Sequence, residues 1–288
     1  MKIAVTAASG ELGSTIIRKL LQEMPKDQII GLARTPKKAG HLGVEIRPGD
    51  YNNKEALVES LSGIDSVLLV SGMDAPDKRI LQHQNVINAA KEAGVKKIVY
   101  TSIFGEKGDT SFSPIIASNR STEEDIKSSG LQWVIGRNGL YIEPDLEYMD
   151  NYLKAGKISN CAADGKCSYT TRDELATAYS RMLLEDKHNG NHYNLCGRAI
   201  TQQQLTEYLN YAFEAALVFE SLSVEEYTKE RQSELGDFLG TVIAGIYTGI
   251  RNGGFDVKSD FYQAVGREHI DWDDFFDAVK LKIKTGQE

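Results

Sequence analysis

The sequence predicts an α/β protein with a doubly wound parallel sheet and a smaller, mostly helical C-terminal lobe. Over the first half, short runs that are apolar on both faces alternate with segments of helical periodicity. From Thr201 onward, helical patterns dominate. Strands that are apolar on both faces need helices on both sides of the sheet, so we expect parallel strands joined by right-handed crossovers.

Six strands are predicted in the first half. In chain order they are "KIAVTA", "QIIGLAR", "VEIRPGD", "SVLLVSG", "KKIVYTS" and "LQWVIGRN". The segments between them that have helical patterns are "ELGSTIIRKLLQEM", "NKEALVESLSG", "RILQHQNVINAAKEAG" and "STEEDIKSSG". Gly63 and Gly94 are suited to end two of these helices, because glycine readily adopts the left-handed conformation found there.

The pattern changes after Asn138. "LYIEPDLEYMDNYLKAG" is helical, and "KCSYTT" and "NHYNLCG" are short strand candidates around the helix "RDELATAYSRMLLED". The remaining helices are predicted in "LTEYLNYAFEAA", "VEEYTKERQSELGDFLGTVIAGIYTGIRNG" and "WDDFFDAVKLKIK". We therefore expect a nucleotide-binding core in residues 1–150, with the segment 157–198 returning to it, and a substrate-capping lobe in residues 199–288.

Composition excludes several classes of function. The 288 residues carry a formal net charge of −8 with no basic stripe, which argues against a nucleic-acid partner. No stretch approaches the apolar length of a membrane span, and no signal peptide is recognisable. The three cysteines and five histidines show no metal-ligand spacing. We expect a cytoplasmic protein with a small-molecule substrate and no metal, and a homodimer is left open.

The first strand ends in a turn that suits a nucleotide. "TAASGELG", residues 6–13, joins this strand to the first predicted helix and places Gly10 and Gly13 three residues apart. Such a turn presents unpaired backbone N–H groups to a diphosphate, with Thr6, Ser9, Gly10, Glu11 and Leu12 as predicted cofactor contacts. The alternative is a tight turn with a structural role only. Ala7 replaces the usual first glycine, which we expect to be tolerated if its φ stays negative.

The end of the second strand favours NADP(H) over NAD. Arg34 stands where an acidic residue would bind the ribose hydroxyls, and Lys37 and Lys38 follow it. An arginine there can pair with a 2′-phosphate and stack on adenine, although a solvated basic loop is the alternative. Asp50, after the third strand, is expected either to accept a hydrogen bond from the adenine amino group or to lie near a helix N-cap.

Two further strand ends complete the predicted cofactor contacts. "VSGM" ends the fourth strand with the small residues Ser71 and Gly72, which suit close approach to ribose or phosphate. "YTSIFG" ends the fifth strand, so we expect Thr101 and Ser102 to face the nicotinamide.

Six stretches taken together point to a known family. They are "KIAVTAASGELGSTI", "QIIGLAR", "VEIRPGDYNNKEALVESLSGID", "LLVSG", "HQNVINAAKEAGVKKIVYTS" and "RNGLYIE". The chain resembles the atypical short-chain dehydrogenases/reductases, and within them the NmrA-like branch of NAD(P)H quinone oxidoreductases and triphenylmethane (dye) reductases. The resemblance covers most of residues 1–200. It implies a Rossmann-type core that binds NADP(H) beneath a roofed substrate pocket. Members usually open with T-G-A-x-G-x-L-G, from which Ala7 departs.

The proton relay of many family members is missing. Members that act on sugars or alcohols use Tyr-x-x-x-Lys, but the span between the fifth and sixth strands has no tyrosine, and Glu123 stands four residues before Lys127. Catalytic residues therefore stay unknown, and sugar epimerase or alcohol dehydrogenase activity is disfavoured. No G-x-S-x-G motif surrounds Ser102, which disfavours hydrolysis.

Hydride transfer to an acceptor that needs little acid help remains, such as a quinone or a cationic dye. Asn138 and Tyr141 are predicted to orient the substrate or nicotinamide, and Phe104, Phe112 and Met73 to form an apolar wall. The alternative for the aromatic residues is simple packing under the lobe. The favoured function is an NADPH-dependent reductase, and the alternative is a non-catalytic NADP(H)-binding redox sensor of NmrA type.

Overall fold

The computed structural model describes residues 1–105, 110 and 112–286. Within them the strands are, in chain order, β1 (Ile3–Val5), β2 (Ile29–Ala33), β3 (Glu45–Pro48), β4 (Ser66–Val70), β5 (Lys97–Ile103), β6 (Gln132–Asn138), β7 (Leu140–Tyr141), β8 (Lys157–Asn160), β9 (Lys166–Cys167), β10 (Tyr169–Thr170), β11 (Asn191–Leu195), β12 (Ile200–Thr201) and β13 (Val218–Ser221).

The α-helices of the described residues are α1 (Glu11–Leu20), α2 (Lys54–Ser60), α3 (Pro76–Glu92), α4 (Ser113–Lys127), α5 (Glu143–Glu147), α6 (Met149–Ala155), α7 (Arg172–Leu184), α8 (Gln202–Phe213), α9 (Val224–Leu235), α10 (Asp237–Arg251), α11 (Phe261–Val265) and α12 (Trp272–Thr285). Among them, none combines the length and the apolarity that a bilayer span would need.

Seven strands form one parallel sheet in the order β11-β6-β5-β4-β1-β2-β3. The six strands predicted for the first half are all in it. The seventh comes from "NHYNLCG", where Asn191 pairs with Val134 and Leu195 pairs with Asn138. The chain order reverses at β1, between β2 and β4, so a ligand crevice is expected at the carboxyl ends of β1 and β4. The predicted doubly wound parallel sheet is confirmed.

Helices cover both faces of the sheet. On one face α1, α7 and α11 pack over a core that includes Ile16, Tyr179 and Phe261. On the other face α2, α3 and α4 cover Leu69 and Tyr100. This two-sided burial explains why the strands read as continuous apolar runs rather than as alternating ones.

The part of the chain after Asn138 differs from the prediction at several elements. The stretch from Val224 to Arg251, expected as one helical segment, forms two helices, because Gly236 between them has φ +81° and cannot continue an α-helix. β7 lies in a stretch that was predicted as helical. β8, β12 and β13 were not predicted, and β13 pairs in parallel with β8. The division of the chain into units at residues 150 and 199 stays a prediction.

Candidate cofactor and acceptor site

The turn after β1 is closed tightly by backbone contacts. The Gly10 amide donates to the Ala7 carbonyl at 2.9 Å, and the Ala8 amide donates to the Leu32 carbonyl of β2 at 2.9 Å. Ala7 has φ +50°, so the negative φ on which its tolerance was expected to depend is not present. The two hydrogen bonds fix the chain in a left-handed conformation at Ala7, which strains its Cβ by about 1–2 kcal/mol.

Gly13 is required by the same turn. A Cβ on Gly13 would lie closer than 3.0 Å to the Ala7 carbonyl oxygen, so only glycine lets α1 approach the turn this closely. On Gly10 a Cβ would stand 3.3 Å from that oxygen, a tight but milder contact. The second predicted glycine therefore serves close packing of the helix against the strand.

The start of α1 offers hydrogen-bond donors to a ligand. Gly10 is its N-cap and has no side chain to bind the first amides. Within the described part of the chain, no acceptor is placed on the amides of Glu11, Leu12 and Gly13. Unpaired amides at a helix N-terminus beside a small-residue turn fit a dinucleotide diphosphate.

The ends of β2 and β3 hold the two residues predicted for the adenosine half. Arg34 is exposed directly after β2 and, within the described ranges, has no carboxylate within 4.0 Å. The Asp50 Oδ1 atom accepts from the Asn52 amide at 3.0 Å, whereas Asn53 is the N-cap of α2. Asp50 is therefore not that helix's N-cap. Its role toward adenine stays a prediction.

One large cavity opens beside the turn. It has a volume of about 1070 Å³ and runs from the start of α1, past the carboxyl ends of β4, β5 and β6, to the helices of the C-terminal lobe. Eleven predicted residues line it: Gly10, Glu11, Leu12, Ser71, Gly72, Met73, Thr101, Ser102, Phe112, Asn138 and Tyr141. The structure thus brings most of the predicted site together at the topological switch of the sheet.

Five predicted residues do not line the cavity. Arg34, Asp50 and the exposed Ser9 lie outside its lining. Thr6 is fully buried, and its hydroxyl contacts the Tyr51 hydroxyl at 2.5 Å and accepts from the Val70 amide at 2.9 Å. Its side chain therefore joins β1 to β4 and is not available to a cofactor.

Phe104 also lies outside the cavity lining. It is 1% exposed and packs edge-on against Phe255, with ring centroids 5.6 Å apart. It belongs to a buried cluster that also contains Phe112 and Trp272, which is the packing role left open as the alternative. Met73 is 96% exposed at the rim of the cavity, and Phe112 contributes to both the lining and that cluster.

The hydroxyl groups at the end of β5 form hydrogen bonds with residues of neighbouring elements in the same chain. The Thr101 hydroxyl accepts from the Ser71 amide at 2.8 Å, and the Ser102 hydroxyl donates to Glu123 at 2.7 Å. Glu123 is also bound by Arg137, with a 2.6 Å contact, and by Arg120 at 2.7 Å. These contacts fix the strand ends that border the cavity.

His83 and Arg79 of α3 hold the loop after β4. The His83 Nε2 atom accepts from the Gly72 amide at 2.9 Å, so this imidazole is neutral. Burial, with a smaller effect from Arg79, lowers the pKa of His83 to about 3. Arg79 donates to the Ile115 carbonyl at 3.0 Å and to the Ser118 hydroxyl, which ties α3 to α4.

Asn138 and Tyr141 form part of a directed hydrogen-bond chain. The Tyr179 hydroxyl donates to Asn138 Oδ1 at 2.5 Å, and Asn138 Nδ2 donates to the Tyr141 hydroxyl at 3.1 Å. Because Nδ2 can only donate, the Tyr141 oxygen accepts and keeps its own proton for a partner in the cavity. Burial raises the pKa of Tyr141, so that proton is retained at neutral pH.

The far end of the cavity is a chamber whose lining residues the sequence analysis did not name, except for Tyr141 at its entrance. Its lining includes Asp145 and five tyrosines, namely Tyr148, Tyr152, Tyr169, Tyr227 and Tyr247, together with the charged residues Lys157, Glu230 and Arg231. Phe238, Val242 and Ile246 of α10 form an apolar roof over it. A signal was present in "LYIEPDLEYMDNY", where Asp145 and Tyr152, seven residues apart, share one helical face.

Helix α4 is the element in which a tyrosine–lysine proton relay was sought. Asn119 and Glu123, four residues apart, lie on the face of α4 toward β5. Asn119 accepts a hydrogen bond from the Tyr100 hydroxyl at 2.7 Å. Lys127 pairs with the exposed Glu124 at 2.8 Å and lies over the Trp133 ring. In the described part of α4, no tyrosine and lysine stand four residues apart.

Comparisons with known proteins agree on one family. A family model described as NAD(P)H-binding matches residues 7–179. Quinone oxidoreductase 2 of Escherichia coli (strain K12) is 35% identical over 270 residues, which cover 92% of this chain and 93% of that protein. The crystal structure of the NADPH-dependent E. coli enzyme complexed with NADPH matches with a TM-score of 0.88 and 31% identity, over 96% of this chain and 99% of that one.

A second solved structure is equally similar. Triphenylmethane reductase of Citrobacter sp. has a TM-score of 0.88 and 30% identity, over 99% of this chain and 100% of that one. The similarity therefore extends through the C-terminal lobe that forms the roof of the cavity.

Proposed function

Since the chain belongs to the NAD(P)H-binding family, in the NmrA-like branch of the atypical short-chain dehydrogenases/reductases, and is an NAD(P)H-dependent oxidoreductase, we propose that it transfers a hydride to a quinone, a dye or a similar electron-poor aromatic acceptor. The observation that carries this proposal is the single cavity that joins the free amides of α1 to the tyrosine-lined chamber. Such a cavity suits two ligands placed face to face.

NADP(H) is the cofactor that the site suits best. The amides of Glu11, Leu12 and Gly13 would hold its diphosphate, and Arg34 would pair with its 2′-phosphate. Similar solved structures contain NADPH or NADP(H). Bound there, the reduced nicotinamide would supply the hydride.

Arg34 provides a test of this cofactor assignment. We expect Arg34→Ser to raise the Kd for NADPH by roughly 10- to 100-fold, because charged hydrogen bonds to phosphate are each worth about 1.5–3 kcal/mol. The Kd for NADH should change little. Lys38→Ser, which removes a neighbouring exposed cation, is the matched control. Equal losses for both cofactors in Arg34→Ser would contradict the assignment.

The acceptor is expected to be aromatic and weakly basic. Tyr141 can donate one hydrogen bond to it, and the chamber supplies tyrosine faces for stacking. With Asn119 and Glu123 on α4 in place of a tyrosine–lysine pair, the site suits an acceptor whose own electronic structure takes the hydride. Quinones and cationic dyes meet this requirement.

The function is tested by cofactor oxidation in the purified protein. The loss of NADPH absorbance is followed with a panel of quinones and cationic triphenylmethane dyes, and without acceptor as the control. We expect turnover with at least one class. NADPH and NADP⁺ binding with unequal affinities but no turnover across the panel would instead establish a redox sensor.

A further inference from the structure

Asp145 is a buried carboxylic acid in the chamber without a cationic partner among the described residues. It lies on α5 and is only 7% exposed, yet it lines the cavity. The Tyr152 hydroxyl of α6 donates to Asp145 Oδ1 at 2.8 Å. No described lysine, arginine or histidine lies within 4.0 Å of its carboxyl group. A buried carboxyl without a cationic partner is disfavoured as an anion.

The other groups around Asp145 do not supply positive charge. The titratable side chains that face it from packed elements are Tyr152, Cys167, Tyr169, Tyr227 and Tyr247. Burial raises the pKa of each, so all are neutral near pH 7. Charged groups elsewhere on its helix or around the cavity include Glu143, Glu147, Lys157, Arg172, Glu230 and Arg231. Burial raises the pKa of Asp145 to about 6.

We propose that the Asp145 carboxyl, in its neutral form, is a catalytic proton donor to a carbonyl oxygen of the acceptor. This inference rests on the proposed reductase function and gives it a proton donor for one acceptor class, the neutral quinone-like carbonyl compounds. Tyr152 holds Oδ1, which leaves the other carboxyl oxygen to carry the proton toward the chamber.

The proton and electron balance is complete with this donor. A quinone that becomes a hydroquinone gains one hydride, with its two electrons, and one proton. The cofactor is oxidised and the quinone is reduced. The O–H bond of Asp145 breaks as an O–H bond forms on the acceptor, and the carboxylate then takes a proton from water before the next turnover.

A cationic dye places a different demand on the same residue. It becomes neutral on accepting a hydride and needs no proton, and the Asp145 carboxylate would attract its charge. The two acceptor classes should therefore depend on pH in different ways.

The test is the pH dependence of kcat/KM between about pH 5 and about pH 8 for one quinone and one cationic triphenylmethane dye. For the quinone we expect kcat/KM to fall above about pH 6, whereas for the dye it should not fall. Asp145→Asn keeps the shape and the acceptor for Tyr152, and it should lower quinone kcat/KM by about 100-fold at low pH and abolish the pH dependence.

Two further variants separate catalysis from folding. Tyr152→Phe removes a hydrogen bond that favours the carboxylate, so the fall in quinone kcat/KM should move to higher pH. Glu143→Gln changes a half-buried carboxyl on the same helix that accepts from the Arg172 amide at 2.6 Å, and it should keep the wild-type profile. If Asp145→Asn fails to fold, the pH profile of Tyr152→Phe still tests the role of Asp145.

The outcomes are distinct. A flat quinone profile in the wild type, full quinone activity in Asp145→Asn, or loss of the pH dependence in Glu143→Gln would each overturn the role of Asp145 while the reductase function stands. Absence of turnover with every acceptor would overturn both.

Discussion

Ala7 shows how a single methyl group is accommodated in a nucleotide-binding turn. The hydrogen bonds of the Ala8 and Gly10 amides, each 2.9 Å long, determine the backbone there, and a φ of +50° follows. A glycine would adopt this conformation without strain. The sequence pattern alone did not reveal this, because the φ of Ala7 depends on contacts with β2 and with the turn itself.

We expect Ala7→Gly to stabilise the protein by about 1 kcal/mol, because relief of the left-handed strain exceeds the added flexibility of the unfolded chain. Guanidinium unfolding measures the change. Ala8→Gly is the control: Ala8 is fully buried without a positive φ, so the same substitution should destabilise by about 1 kcal/mol. Destabilisation of similar size in both variants would show that Ala7 is not strained.

At the level of elements, α3 connects the loop after β4 to α4. The neutral His83 binds the Gly72 amide through Nε2 and contacts the Thr122 hydroxyl at 2.9 Å through Nδ1. Protonation of Nε2 would break the first bond and place a second cation beside Arg79. The position of a cavity-lining loop therefore depends on one uncharged imidazole.

This arrangement predicts how stability changes with pH. Below the usual pKa of 6.5 the unfolded chain protonates His83, whereas the folded chain does not until about pH 3. The unfolded state then binds more protons, so stability falls as pH decreases through this interval, by about 2 kcal/mol between pH 6.5 and pH 5. We expect His83→Gln to remove this part of the pH dependence, measured by denaturant unfolding. The exposed His41→Gln should retain it, and an unchanged slope in His83→Gln would refute the assignment.

Elements with strong local signals were predicted, and those that depend on distant partners were not. The six strands of the first half have long apolar runs, and Gly10 and Gly13 mark the nucleotide turn directly. β13 has four residues and exists through its pairing with β8, which no local pattern specifies. Asp145 is recognised as a candidate site residue only in the folded structure, where tyrosines of α6, α9 and α10 surround it. Thr6 was selected from the turn motif and Phe104 as part of an apolar wall, but both side chains are buried.

On the scale of the whole molecule, the central sheet and a set of C-terminal helices together form the cavity. The sheet provides its rigid floor, because β4, β5 and β6 are buried between helices on both sides. Helices α9 and α10 provide much of the roof, with Tyr227, Phe238 and Tyr247 in the lining. The cofactor end and the acceptor end can therefore be perturbed separately.

A substitution at Gly240 should change the acceptor end of the cavity without changing the cofactor end. A Cβ on this residue of α10 would lie closer than 3.0 Å to the backbone of Arg231 and Gln232, so the two helices cross in close contact there. We expect Gly240→Ala to push α10 away from α9, to destabilise by about 1–3 kcal/mol, and to raise the KM for the acceptor several-fold. The Kd for NADPH should stay unchanged, because the free amides of α1 lie at the other end of the cavity. Gly254→Ala, whose Cβ would have an ordinary 3.4 Å contact, should leave both constants unaltered. Parallel losses of cofactor and acceptor binding in Gly240→Ala would mean that the roof and the cofactor site are mechanically coupled rather than independent.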